Sequence, residues 1–182
     1  GHAMDAAVAA AFTLSVVEPS MGGIGGRAQI LIYTPSDGVH GIDATTQAPP
    51  FYEFDDTLGV EYGYQTIAVP GVVKGLTDGL SDYGSLPLAQ VMTPAIGYAQ
   101  NGFTLLPGEA FRQGSVNEIL KEFGGTRQYY LNEDSTARKA GDWVIQKDLA
   151  KVLNAISKKG SNVFYRGWIA QAMVQDIQKY GG

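Results

Sequence analysis

From Ala6 to Val17 the chain runs through Ala, Val, Phe, Leu, Thr and Ser without a single charge. Alanine-rich segments of this kind have high helix propensity, and one with a small or apolar residue on every face belongs in an interior. Asp5 is placed to cap the first turn and to put a negative charge at the positive end of the helix dipole. Glu18 and Pro19 stop the helix. At about 1.5 Å per residue the run spans only about 18 Å, too short for a bilayer. The expectation is a core helix.

The glycines that follow, Met21-Gly22-Gly23-Ile24-Gly25-Gly26-Arg27, narrow the choices further. They lack the Lys-Ser/Thr ending of a phosphate loop. They also lie between a helix and the strand predicted over 28–33, the reverse of the order in a dinucleotide fingerprint. What remains is a tight passage where the backbone turns at positive φ and runs close to another segment.

Downstream, Gln29 to Tyr33 and Val39 to Ala44 are apolar runs flanking Thr34-Pro35-Ser36-Asp37-Gly38, the pattern of a β-hairpin. The second run ends in Asp43, Thr45, Thr46 and Gln47 before Ala48-Pro49-Pro50, and such a polar strand end is either a ligand contact or simply solvated. Residues 51–63 show no period and read as a surface loop, and 65–69 as a short strand. Val72, Val73, Leu76, Leu80 and Tyr83 fall at helical spacing, with Gly84 placed as a C′ glycine. A second stripe from Leu88 to Ala99 is interrupted by Pro94, which kinks it or starts a new helix capped by Thr93. Helices are also predicted over 107–123, buried through Phe111, Ile119, Leu120 and Phe123, over 145–157, and over 168–180. Residues 124–141 read as an exposed connection. This order of elements specifies α+β and no more.

A length of 182 residues permits one sizeable core, so residues 1–182 are read as a single domain. A net charge of −5 argues against a nucleic-acid surface or a basic membrane contact. The absence of cysteine removes thiol catalysis and thiolate metal sites, and His2 and His40 alone cannot build a histidine-rich zinc cluster. Glu53, Asp55 and Asp56 read as solvated loop carboxylates rather than a metal site, so no metal or cofactor is expected. Lys158-Lys159 suits a helix C-terminus. Trp143 and Trp168 read as packing residues.

The segment GHAMDAAVAAAFTLSVVEPSMGGIGG, then ILIY, Asp37-Gly38 and GIDATTQAPP, resembles the start of the large subunit of a gamma-glutamyltransferase, or glutathione hydrolase. The likeness continues through Ala68-Val69-Pro70-Gly71, Tyr83-Gly84-Ser85-Leu86-Pro87, Asn101-Gly102-Phe103 and Phe164-Tyr165-Arg166-Gly167, covering essentially the whole chain. The resemblance implies the αββα sandwich of an N-terminal nucleophile hydrolase, of which this chain is the N-terminal part of the large subunit, incomplete by itself. It implies a precursor that cuts itself, and a nucleophile that is the N-terminal threonine of a small catalytic subunit, with its own amine as base. That subunit, or the C-terminal remainder of the precursor, is the expected partner, and a small gamma-glutamyl or acyl compound the expected substrate. Periplasmic or extracellular residence is suggested by the same likeness. No threonine of this chain has the nucleophile's context, so no catalytic residue is assigned and the chain alone is expected to be inactive.

The resemblance places one substrate contact here, an arginine in a motif Asp-any-Arg-Glu-any-Ala-Pro that grips the donor's α-carboxylate. In Asp43-Ala44-Thr45-Thr46-Gln47-Ala48-Pro49, Thr45 stands at the arginine position. A hydroxyl cannot imitate a bidentate guanidinium. Arg27, near Thr45 across the hairpin, either fills the vacated space, pairs with Asp43, or lies on the surface. Thr45, Arg27 and Gln47 are the candidate substrate-binding residues. The alternatives are a related acylase with a different donor, or a non-catalytic binding or scaffolding protein that kept this layer of the fold.

Overall fold

The computed structural model describes residues 1–50 and 62–181. Residues 51–61 of the predicted loop 51–63, with its acidic cluster, lie outside the described residues. Contacts divide the chain into two compact units, one of residues 1–8, 24–91 and 154–182 and the other of 9–23 and 92–153. Helix α1 (Ala3–Val17) contributes residues to both.

In the first unit, strands β1 (Ala28–Thr34) and β2 (Gly38–Ala44) form the expected antiparallel hairpin, with Ala28 opposite Ala44. The turn is closed by Gly38 at φ 80°, a left-handed conformation that suits glycine. Helix α2 (Val72–Tyr83) buries Val72, Val73, Leu76 and Leu80, the stripe its sequence predicts. The helix lies against the hairpin because three of its near neighbours carry no side chain. A Cβ on Gly71 would stand 2.5 Å from the carbonyl oxygen of Thr45, one on Gly75 would overlap the Ala44 methyl, and one on Gly79 would overlap the end of Met4. The other hairpin face stays open, with Leu31, Tyr33 and Val39 exposed. The predicted strand over 65–69 is instead a 3₁₀ turn at Tyr64–Thr66, and only Val69 pairs, through a bridge to Gln47.

Asp5 is not the helix cap that was expected. Helix α1 starts at Ala3, so Asp5 lies in its first turn and reaches back to the backbone N–H of His2, the reciprocal half of a capping box. The same carboxylate accepts Ser85 N–H at 2.8 Å, the Ser85 hydroxyl at 2.8 Å and Leu86 N–H at 3.0 Å. Gly84 is extended rather than left-handed. Its glycine is required by crowding, since a Cβ would stand 2.6 Å from Leu80 O and 2.7 Å from Asp5 Oδ1. The first unit also holds α3 (Leu88–Val91), α9 (Asn162–Tyr165) and α10 (Trp168–Tyr180).

In the second unit, α4 (Thr93–Asn101) starts afresh at Pro94, with Met92 rather than Thr93 preceding it. Strands β3 (Phe103–Thr104) and β4 (Trp143–Val144) pair antiparallel. The helix predicted over 107–123 is two, α5 (Pro107–Ser115) and α6 (Asn117–Glu122), and the supposed connection contains α7 (Gly124–Tyr130). Phe111 is 78% exposed, while Glu109 and Gln113 are buried in its place. The reason is hydrogen bonding, described below. Helix α8 (Lys147–Lys159) also contributes to both units. Helix α1 buries a single stripe of Met4, Val8, Phe12 and Val16, and leaves Ala6, Ala10 and Leu14 exposed. The expectation of burial on every face is therefore not met in this chain.

Two outcomes follow from this packing. Replacing Gly75 by alanine forces its methyl into that of Ala44, at a cost of about 1–3 kcal/mol in unfolding free energy, and adding Ala44→Gly recovers most of it. Urea denaturation of the single and double variants measures both; full additivity would mean that the two residues do not meet. Burial pushes the Asp5 carboxyl upward, but the N–H groups of Leu86, Ser85 and His2 and the Ser85 hydroxyl outweigh it and hold the group well below the usual carboxylate range. A depressed folded pKa adds stability above the unfolded value of about 4, and that stability is lost as pH falls from there toward the folded pKa. Between pH 7 and pH 3 the urea midpoint of the natural chain should therefore fall further than that of Asp5→Asn.

Candidate functional site

The end of β2 is pinned from three sides. Ala44 is 3% exposed beneath Gly71 and Gly75 of the α2 region. The N–H groups of Gly71 and Val72 donate to Gly26 O at 3.2 and 3.3 Å, tying the start of α2 to the glycine-rich passage. Beyond Thr45, Gln47 N donates to Val69 O at 3.0 Å and Val69 N to Gln47 O at 2.8 Å. The segment 43–47 is held in place by backbone, which fixes where its exposed side chains Asp43, Thr45 and Gln47 leave the chain.

The first of these is Asp43. Its Oδ1 accepts the Thr45 N–H at 3.0 Å and also the Thr45 hydroxyl. These two bonds, the hydroxyl's first, hold the Asp43 carboxyl below its ordinary range against a slight opposing effect of burial. Thr45 has thus committed its one proton to a carboxylate of its own chain. No described residue donates to the second oxygen, Oδ2.

Asp43, Thr45 and Gln47 line a cavity of about 260 Å³ together with Lys74, Asp78 and Tyr165. Lys74 pairs with Asp78 one turn along α2, both of them substantially exposed. The Tyr165 hydroxyl oxygen accepts the backbone N–H of Lys74 at 3.0 Å. Burial pushes its pKa up, and the Lys74 amide and ammonium pull it partly back. The phenol therefore stays protonated at neutral pH.

Continuing the strand register places Arg27 opposite Thr45, as the hairpin reading anticipated, but the side chain is exposed and does not line the cavity. Among the described residues it forms no ion pair with Asp43. Of the three candidate residues, the structure brings Thr45 and Gln47 together and leaves Arg27 outside. Lys74 and Tyr165 were not singled out from sequence, being 91 positions apart, and only the fold brings them together.

The second unit holds another polar cluster that sequence reading missed. Glu109, 1% exposed, accepts the backbone and hydroxyl of Ser20, the Arg112 guanidinium at 2.9 Å and the Gln113 amide at 2.8 Å. Burial works to raise its pKa, and these donors, led by the Ser20 hydroxyl, more than offset it. The i, i+3 and i+4 spacing of Glu109, Arg112 and Gln113 in one helix was the available signal. The carboxylate is saturated with donors, which fits an anchor for the segment after α1.

A sequence profile of the gamma-glutamyltranspeptidase family matches residues 1–182. The chain belongs to that family. The glutathione hydrolase proenzyme of Pseudomonas aeruginosa is 36% identical over 195 residues, a match that covers 100% of this chain and 33% of the relative. The crystal structure of Helicobacter pylori gamma-glutamyltranspeptidase superposes with a TM-score of 0.94 at 33% identity, covering 100% of this chain and 54% of that one. The cephalosporin acylase of Bacillus halodurans superposes with a TM-score of 0.87 at 29% identity, covering 99% of this chain and 36% of that one. This chain thus spans about a third of the length of the curated gamma-glutamyltranspeptidase-family relatives it matches. Its mixed helices and strands are the N-terminal part of the N-terminal nucleophile hydrolase fold of the gamma-glutamyltranspeptidases.

Replacing Thr45 by valine removes the hydroxyl donor while keeping the shape. The Asp43 pKa should rise toward its ordinary value, read from the carboxyl carbon shift in an NMR titration. An unmoved pKa would mean that the hydroxyl does not engage Asp43 in solution.

Proposed function

We propose that this chain is the N-terminal part of the large subunit of an autoprocessed gamma-glutamyltransferase-like enzyme. The observation that carries the reading is the match of a single family over all 182 residues, together with close superposition on a solved gamma-glutamyltranspeptidase. The name proenzyme borne by the relatives supports a precursor divided into subunits.

In this reading the nucleophile is the N-terminal threonine of the small subunit. Its hydroxyl adds to the acyl carbonyl of the substrate amide as its proton passes to the α-amine. The amine leaving group takes that proton as the C–N bond breaks, leaving an acyl ester on the threonine. Water then releases the acid, or a second amine takes the acyl group. The present chain contributes the cavity at the end of β2, which receives the far end of the acyl donor, with Thr45 and Gln47 on its wall. The exposed hairpin face of Leu31, Tyr33 and Val39 is where the remainder of the precursor packs, since an apolar sheet face of this size is costly to leave in water.

A second reading, an acylase acting on a different donor, is favoured by one observation. The Thr45 hydroxyl is spent on Asp43, so the position offers a donor carboxylate neither a cation nor a free proton. The similarity to a cephalosporin acylase is in keeping with it.

Expression of the full-length gene product tests the reading: it should separate into two polypeptides and cleave an acyl p-nitroanilide, whereas residues 1–182 alone should cleave none. Turnover by residues 1–182 alone, abolished by replacing a threonine within them, would overturn the subunit assignment.

A further inference from the structure

The geometry points to a cavity at the end of β2 that receives a cationic or amine-bearing acyl donor, with Asp43 as the residue that selects it. This inference rests on the reading of that cavity as the donor pocket. Three charged side chains line it, the carboxylates of Asp43 and Asp78 and the ammonium of Lys74, so its fixed charge is −1. Lys74 is already paired with Asp78. Asp43 is left as the uncompensated charge, with no ion pair to a described residue.

The hydrogen-bonding inventory has the same sign. Thr45 gives its proton to Asp43 Oδ1 and keeps only lone pairs for a ligand. Oδ2 of Asp43 has no donor among the described residues. An incoming carboxylate would meet the unpaired like charge of Asp43, with only the neutral donors of the Tyr165 hydroxyl and the Gln47 amide to set against it, whereas an ammonium would meet acceptors on Asp43, Thr45 and Gln47. Arg27, the cation that could have neutralised this charge from across the hairpin, does not line the cavity. At about 260 Å³ the space is large enough for a short chain with one polar terminus.

The test uses the processed full-length protein and three p-nitroanilides: butanoyl, 4-aminobutanoyl and glutaryl. The second and third are the gamma-glutamyl group without its carboxylate and without its amine. The expected order of kcat/KM puts 4-aminobutanoyl about tenfold or more above butanoyl, the scale of a hydrogen bond to a charged group, with glutaryl below both. Asp43→Asn keeps the size and the acceptor for Thr45, and should bring the 4-aminobutanoyl to butanoyl ratio toward one. Thr45→Arg should pair with Asp43 and raise glutaryl above 4-aminobutanoyl. A ratio unmoved by Asp43→Asn, or glutaryl preferred by the natural protein, overturns the inference while leaving the enzyme reading intact. If none of the three anilides is cleaved, calorimetric titration with 4-aminobutanamide and butanamide decides the selectivity alone. Binding of the amine about tenfold tighter, lost in Asp43→Asn, upholds it; equal binding sinks it.

Discussion

The close approach of α2 to the end of β2 is the constraint on which the first unit depends. Gly71, Gly75 and Gly79 recur every fourth residue along one side of α2, and Ala44, Thr45 and Met4 occupy the space their side chains would have filled. Glycine in a helix interior lowers its intrinsic stability by roughly 1 kcal/mol relative to alanine. The loss is offset by burial of Val72, Val73, Leu76 and Leu80 on the same helix. Because the approach is backbone to backbone at Gly71, it fixes residues 43–47 far more firmly than side-chain packing would. Lys74 and Asp78 lie on that helix, and Tyr165 is held to it through the Lys74 amide. One packing contact thus sets both the wall and the charge of the cavity.

Threonine at position 45, where the family resemblance implies an arginine, leaves the lining of that cavity with a net charge of −1 instead of zero. An arginine there would cancel the charge of Asp43 and offer a carboxylate a forked set of donors. A threonine does neither, and its hydroxyl turns inward to the neighbouring aspartate. The fold is indifferent to the exchange, because 43–47 is pinned through its backbone, by the Gln47 to Val69 bridge and the buried Ala44. Position 45 can therefore vary without loss of structure.

The elements whose apolar period is unbroken were legible in the sequence: the hairpin, α2, α8 and α10. Where reading failed, a polar contact distant in sequence had replaced the apolar rule. Hydropathy assigns Phe111 inward, but it is Glu109 that is buried, because it finds donors on Ser20, Arg112 and Gln113, and a carboxylate so satisfied can be buried. Asp5 was read as a local cap because its partners Ser85 and Leu86 are invisible to local rules. Gly84 was assigned a left-handed angle when its need was for space beside Leu80 and Asp5. Thr45 and Gln47, which line the cavity, stood out as a polar strand end and through the family resemblance; the register gave Arg27 its place opposite Thr45 but not its absence from the cavity. The cavity itself was not legible, since Tyr165 enters it from the far end of the sequence.

The Asp5 carboxylate also sets a clock on biosynthesis. Its donors Ser85 and Leu86 lie 80 and 81 positions further along the chain. At about 5–20 residues per second, a ribosome needs several seconds to deliver them after Asp5 has been made. Until then the first turn of α1 carries a carboxylate meant for burial beside an uncharged alanine-rich segment, and a short helix is marginal by itself in water. This helix is therefore secured only after the hairpin and α2 have been made, and during that interval its apolar stripe is open to whatever holds nascent chains in solution.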